Sequence, residues 1–264
     1  MSEATMIDRR GVLFFVVGAA ACGIGDAYAQ SADEIIAAAD RVRNPGEPFR
    51  TMTTLIEYRS GKARSKTVLT VYVKEDRATG QFRNVVRYVD PPRDAGKLVL
   101  RAGNTMWFYD PSSKASIRVS AQQRLLGQAA IGDVISVNLA KDYTAKLIGT
   151  EEIQDSERKP RTCWHLDLAA ANEGATYSRI EYWVEKQTSY PIRGKFYADS
   201  GRLLKVAYYG RYQSQLGGMR PTETVIIDSV DSALVTTVGF TDFRFQEIPE
   251  TWFQREFLPR IGAE

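Results

Sequence analysis

From position 49 onward the apolar residues of this chain recur with a period close to two, so it reads as strand after strand. "FRTMTTLIEYRS" and "SKTVLTVYVKED" alternate and are joined across Ser60-Gly61-Lys62, a hairpin turn signal. "GQFRNVVRYVD" follows and is closed by Pro91-Pro92, and "KLVLRAGNTMWFYDPSSKASIRVS" divides into three short strands. Strands resume with "YTAKLIGTEEI", "TCWHLDLAA", "YSRIEYWVEKQT", "PIRGKFYA", "LLKVAYYGRYQ", "TETVIIDS" and "LVTTVGFTDFRFQ". The expected fold is mainly β: an incomplete, open antiparallel barrel of about ten or eleven strands.

Three segments break the period. "SADEIIAAADRVR" predicts a helix N-capped by Ser31, with Glu34 completing a capping box and Ile35, Ala38, Ala39 and Val42 on one face; Asn44-Pro45-Gly46 stops it. "AQQRLLGQAAIGDVISVNLAKDY" has helical spacing at Leu125, Leu126, Ile131, Val134, Ile135 and Leu139, and Gly127 and Gly132 split it into two short helical pieces. "PETWFQREFLPRI" predicts a last short helix with Pro249 in its first turn.

The strands differ in their two faces. "RIEYWVEK" alternates, with Ile180, Tyr182 and Val184 inward, whereas "TMWFYD" sets Met106, Trp107, Phe108 and Tyr109 in an unbroken apolar row. A strand apolar on both sides needs cover on both sides. These four are either ordinary core or the wall of a cavity, and one face is expected to meet the segment at 121–142. That segment is short and interrupted by glycine, so it is expected to act as a displaceable lid or plug. Each buried Leu or Ile contributes about 1.5–3 kcal/mol, and each buried CH₂ of an acyl chain about 0.8 kcal/mol, so a plug of a few such residues and a long chain compete on near-equal terms. The same six residues also fit a fixed amphipathic seal.

The N-terminus bears on location. "IDRRGVLFFVVGAAACGIGDAYAQ" has paired Arg9 and Arg10, an apolar core and Ala27-Tyr28-Ala29, the order of a Tat-like signal peptide over residues 1–29. The expectation is export to the periplasm and one mature domain over 30–264. Cutting before Cys22, with lipid anchoring, is the rival reading, but Ala19-Ala20-Ala21 lacks the usual leucine. Removing 1–29 changes the formal charge from +3 to +4, because two positive and three negative residues leave. No concentrated Lys/Arg stripe points to nucleic acid. Cys163 is then the one remaining cysteine, so no intrachain disulfide forms.

"TCWHLDL" is the one stretch that invites a catalytic reading: Cys163, His165 and Asp167 share a strand face. Side chains two apart stand parallel, about 6.6–6.8 Å between Cα atoms, and are poorly aimed at each other. The competing reading is the outward face of a strand whose Trp164, Leu166 and Leu168 point in. One His and one Cys make half a zinc site at best. Glu151, Glu152, Asp155 and Glu157 read as a solvated turn, and no phosphate-cradling glycine loop occurs. No enzyme, metal or cofactor is expected.

The pattern "VVRYVDPP…GKLVLRAGNTMWFYDPSSKASIRV", the plug-like "LLGQAAIGDVIS" and the closing "VGFTDFRFQEIPE" resemble the LolA-like family of periplasmic outer-membrane lipoprotein-sorting proteins, over most of residues 31–250. The resemblance implies an open barrel capped by helices that holds acyl chains in its concave face. It implies a monomeric carrier, chaperone-like in lipoprotein transport, with lipid or lipoprotein acyl chains as cargo. The partners implied are an inner-membrane exporter, in some relatives of RND type, and an outer-membrane acceptor. A lipid-sensing or scaffolding module that does not shuttle is the alternative. The residues expected to line the cavity and lid are Met106, Trp107, Phe108, Tyr109, Leu125, Leu126, Ile131, Val134, Ile135, Leu139 and Tyr182. The family's lid latch is an arginine of an Arg-Pro pair; "KEDRATGQFR" offers Arg77 without the proline.

Overall fold

The structure, a computed structural model, describes residues 30–261. The signal peptide expected over 1–29, with Cys22, lies outside the described residues. The expected first helix, α1, spans Ala32–Arg43. Ser31 Oγ accepts from Glu34 N at 3.2 Å and Glu34 Oε2 accepts from Ser31 N at 2.8 Å, the reciprocal cap read from the sequence. Its buried face is broader than expected, because Ile36 and Asp40 join Ile35 and Ala39.

Six strands follow: β1 (Phe49–Arg59), β2 (Lys62–Asp76), β3 (Gln81–Asp90), β4 (Leu98–Ala102), β5 (Thr105–Asp110) and β6 (Ala115–Val119). Ser60 and Gly61 both take positive φ, 51° and 74°, which is the primed geometry that a tight hairpin between β1 and β2 requires. After the segment at 120–142 come β9 (Tyr143–Gln154), β10 (Pro160–Ala170), β11 (Arg179–Glu185), β12 (Pro191–Tyr197), β13 (Leu203–Gln215), β14 (Gly218–Asp228) and β15 (Leu234–Phe245). All thirteen belong to one antiparallel sheet in the order β6-β5-β4-β3-β2-β1-β15-β14-β13-β12-β11-β10-β9. Thirteen exceeds the ten or eleven expected, because each strand stretch read from the sequence, including the three short ones of 97–120, takes a place in the same ladder.

This order explains the rest of the architecture. β1 pairs with β15 in the middle, so the two meanders run outward and leave β6 and β9 as opposite edges. The chain that joins those edges has to cross a face of the sheet. The sheet also curls: Val71 and Val73 on β2 line the same cavity as Ile180 on β11, although five strands separate them. Its ends approach without closing. Arg101 on β4 donates through Nη2 to the Gly174 carbonyl in the β10–β11 loop at 3.5 Å, while β6 and β9 share no ladder.

The crossing segment departs from the expectation of two helical pieces. Its first half is a hairpin, β7 (Arg124–Leu126) and β8 (Ala129–Ala130), turned at Gly127 with φ +55°. A Cβ at Gly127 would sit 2.3 Å from Thr236 Oγ1, so glycine is required there by both backbone and space. The second half holds two single helical turns, α2 (Ile131–Val134) and α3 (Leu139–Asp142). The C-terminus also differs: two 3₁₀ turns, Glu250–Phe253 and Arg255–Arg260, replace an α-helix. Pro259, inside the second turn, lacks the backbone donor that a regular helix would need there.

The apolar residues fall into two main clusters on opposite faces. The inner one joins α1, the crossing segment and strands from β1 to β15; the outer one packs Val85, Leu98, Leu100 and Tyr109 under Ile248, Phe253, Leu258 and Ile261. Among the described residues, no helix is long and apolar enough to cross a membrane.

Candidate functional site

Segment 120–142 lies on the inner face as a plug, and beneath its second half is a cavity of about 110 Å³. The sheet contributes Phe49, Val71, Val73, Ile180, Phe196, Ala207, Ile226 and Phe240; the plug contributes Val134, Ile135, Val137 and Leu139. This hollow is smaller than the ~300–1,000 Å³ of ordinary ligand pockets. With the plug seated, a long acyl chain does not fit.

The strand that is apolar on both sides divides its row between the two faces. Met106 and Phe108 pack into the inner cluster, whereas Trp107 and Tyr109 pack into the outer one beneath the C-terminal turns, with the Arg255 guanidinium 4.2 Å from the Trp107 ring centre. None of the four borders the cavity under the plug; Met106 borders a separate, more polar hollow with Arg101 and Arg118. Val134, Ile135 and Leu139 do border it. Ile131 is buried beside them, and Leu125 and Leu126 are half-buried against the inner cluster. Tyr182 is fully buried one layer behind, edge-on to Tyr209 at 5.8 Å between ring centres, and Tyr209 lines the cavity. Arg77 lies exposed in the β2–β3 turn.

Besides its buried apolar side chains, the plug is fastened by polar contacts that sequence reading missed. Asp142 is 4 % exposed and accepts from Arg101 Nη2 at 3.2 Å and from Gln81 Nε2 at 2.9 Å. Gln81 Oε1 accepts from Asn138 N at 2.8 Å. Asn84, wholly buried on β3, clasps Ser136 twice: Oδ1 accepts from its N–H and Nδ2 donates to its carbonyl, each at 2.9 Å. Asp133 pairs with buried Lys205 on β13 and accepts from Tyr177 Oη at 2.8 Å. From α1, Asp40 Oδ2 accepts from Ala140 N at 2.9 Å, and Asn44 Nδ2 donates to the Val137 carbonyl at 3.2 Å. Burial pushes the Asp40 carboxyl up to about 6, against the opposing pull of Arg43 and of the backbone N–H groups it accepts from. The one sequence signal for this network was polar residues inside strands otherwise buried, such as Asn84 between Phe82 and Val85.

The stretch that invited a catalytic reading sits on the outer face. Leu166 and Leu168 point into the inner cluster, while Cys163 packs with Ile153, Trp183 and Ile192. His165 stacks on Trp183 at 4.3 Å, with Glu151 3.4 Å from Nδ1. Burial pushes the Cys163 thiol up to about 12, which leaves negligible thiolate near neutral pH. Among the described residues, no cluster of three His, Cys, Asp or Glu suits a metal.

A protein-family model described as "Uncharacterized protein" matches residues 80–260. No curated protein matches the chain. Among solved structures, the chain is similar to a LolA superfamily protein from Nitrosomonas europaea, at 28% identity and a TM-score of 0.77, covering 87% of this chain and 100% of that one. It is similar in fold to a domain named for outer membrane lipoprotein sorting from Vibrio parahaemolyticus, at 18% identity and a TM-score of 0.70, covering 87% and 98% of the two chains. A DUF1329 family protein from Desulfovibrio piger has the same fold, at 18% identity and a TM-score of 0.71 over 86% and 97%.

Proposed function

The chain belongs to the LolA-like family, and from that premise we propose that it is a periplasmic carrier of acyl chains. The chains of a lipid or lipoprotein replace the plug on the inner face and are handed towards the outer membrane. An inner-membrane exporter, of RND type in some relatives, loads the protein. Residues 1–29 are its export signal and 30–264 its single lipid-binding domain.

One observation carries this reading: the inner face is apolar, and what covers it is a glycine-broken segment held by a handful of buried apolar side chains and a set of polar clasps. A cover meant to be permanent gains most from continuous apolar packing. Here Ile131, Val134, Ile135, Val137 and Leu139 supply about 1.5–3 kcal/mol each, and an acyl chain of about a dozen or more CH₂ groups at about 0.8 kcal/mol each offsets them. Plug and chain exchange close to balance, which is the condition for loading and release. The plug residues Leu125, Leu126 and Ile131 move with it, while the sheet residues stay. The latch is formed by Arg101 and Asp142 rather than by Arg77.

The test is purification of the protein from its native compartment, followed by lipid extraction and mass spectrometry. The expected result is a stoichiometric acyl lipid, a mature N-terminus near Gln30 and uptake of a fluorescent acyl probe by stripped protein. Lipid-free protein that takes up no probe would overturn the reading. A transfer assay between inner- and outer-membrane fractions separates a shuttle from a static sensor.

A further inference from the structure

Arg220 stands on β14 where the cavity meets the end of α1, and it is 6% exposed. Two of its three nitrogens are committed: Nε donates to the Gln215 carbonyl at 3.1 Å, and Nη1 donates to the carbonyls of Val42 and Arg41 at 3.0 and 3.3 Å. These bonds hold the guanidinium rigidly across the last turn of α1, whose free carbonyls carry partial negative charge. Nη2 has no hydrogen-bond partner among the described residues, and no carboxylate pairs with the guanidinium there; burial alone holds it below the ordinary arginine range. Arg43 lines the same cavity, and its ion pair with Asp40 at 3.6 Å is the one acidic contact of either arginine among the described residues. Asp133 and Asp142 line the cavity too but are paired with Lys205 and Arg101, which leaves Asp40 as the one carboxylate for the two guanidinium groups.

Capping a helix needs donors, not net charge, and Asn44 Nδ2 already donates to the Asp40 carbonyl at 3.4 Å. A buried cation without a counter-ion is costly, and an anion that arrives with the ligand removes that cost. Phe49, Phe240 and Phe243 border the cavity alongside the two arginines, so an apolar wall and a rigidly held Nη2 donor meet in one place. We propose that Arg220, seconded by Arg43, receives the anionic headgroup of a single-chain amphiphile, a carboxylate or a phosphate monoester, whose chain takes the plug's place on the inner face. The cargo class is then an acidic lipid rather than any acyl chain, and this inference rests on the carrier reading above.

The experiment displaces a neutral fluorescent acyl probe from the full mature protein with chain-matched pairs: palmitate against hexadecanol, and palmitoyl lysophosphatidic acid against monopalmitoylglycerol. In at least one pair the acid is expected to bind about tenfold more tightly than its neutral partner, and which pair shows it separates carboxylate from phosphate. In Arg220→Met the ratio falls to near one, and in Arg220→Lys, which keeps the charge but loses the bonds that hold the donor in place, part of it remains. Should Arg220→Met not fold, the wild-type ratios and Arg220→Lys still decide. Equal binding of acid and neutral members by the wild type overturns the headgroup site and leaves the carrier reading standing. Binding of no amphiphile at all overturns both.

Discussion

Asp142 ties the plug to the opposite half of the sheet, and it does so while almost wholly buried. A buried ion pair adds little over a well-packed apolar pair, but breaking it strands a charge. Arg101→Met is therefore expected to cost about 3–5 kcal/mol in urea unfolding, and Arg101→Met with Asp142→Asn markedly less than the two single changes together. Additive losses would show that the two residues do not act as a pair. Asp40 has the opposite character. Its carboxyl is raised to about 6 from the usual 3.8, so the native state holds the proton more tightly than the unfolded chain does. Its contribution to stability is present below about pH 4 and fades as pH rises through 6, by up to about 3 kcal/mol. Asp40→Asn keeps an acceptor for Ala140 N and is expected to flatten that slope in unfolding midpoints taken across the window. Parallel curves for the two proteins would contradict it. None of these partners was legible in the sequence. "LVLRAGN" looks like an ordinary strand, and the acid that Arg101 meets lies 41 positions away.

The plug shows where periodicity stops being informative. Leu125, Leu126, Ile131, Val134, Ile135 and Leu139 fit a helical stripe, yet the first two fall in a hairpin. Its turn depends on Gly127 and on Gln128 N donating to Thr236 Oγ1 at 2.8 Å, a contact across 108 positions. The capping box of α1 and the long alternating strands were legible because they are set by near neighbours. The paired edges, the 3₁₀ tail and the polar clasps were not, because tertiary partners decide them. Gly132 gives a direct handle on the plug: a Cβ there would lie 2.4 Å from Thr176 Cγ2. Gly132→Ala is expected to destabilise by about 1–3 kcal/mol and to speed acyl-probe uptake in stopped flow. Adding Thr176→Ala should reverse both in part. Unchanged uptake would separate the plug from access to the cavity.

The molecule as a whole is a curled sheet whose two faces do different work. The inner face carries the plug. The outer face near β3 to β5 is sealed by the C-terminal turns, which Glu250 pins through Arg83 and Lys74, each at 2.7 Å. Leu258 is fully buried in that outer cluster. Leu258→Ala is expected to cost about 2–5 kcal/mol while leaving probe affinity at a permissive temperature as in the wild type. A parallel loss of affinity would mean that the faces are coupled and that the sheet is not a passive wall. The open edges have the same logic. With β6 and β9 unpaired in a ladder, the ends of the sheet meet only through side chains such as Arg101, and those can part without tearing backbone hydrogen bonds.

The proposed function turns on one competition, between the protein's own segment and a guest, for the inner face of the sheet. Amide hydrogen exchange over residues 127–142, with the mature protein stripped and then loaded with a fatty acyl ligand, reads that competition directly. Exchange in this segment should quicken on loading while β1, β2 and β11–β15 stay protected. Slower or unchanged exchange in the segment, with the ligand bound, would show that the guest does not take the plug's place.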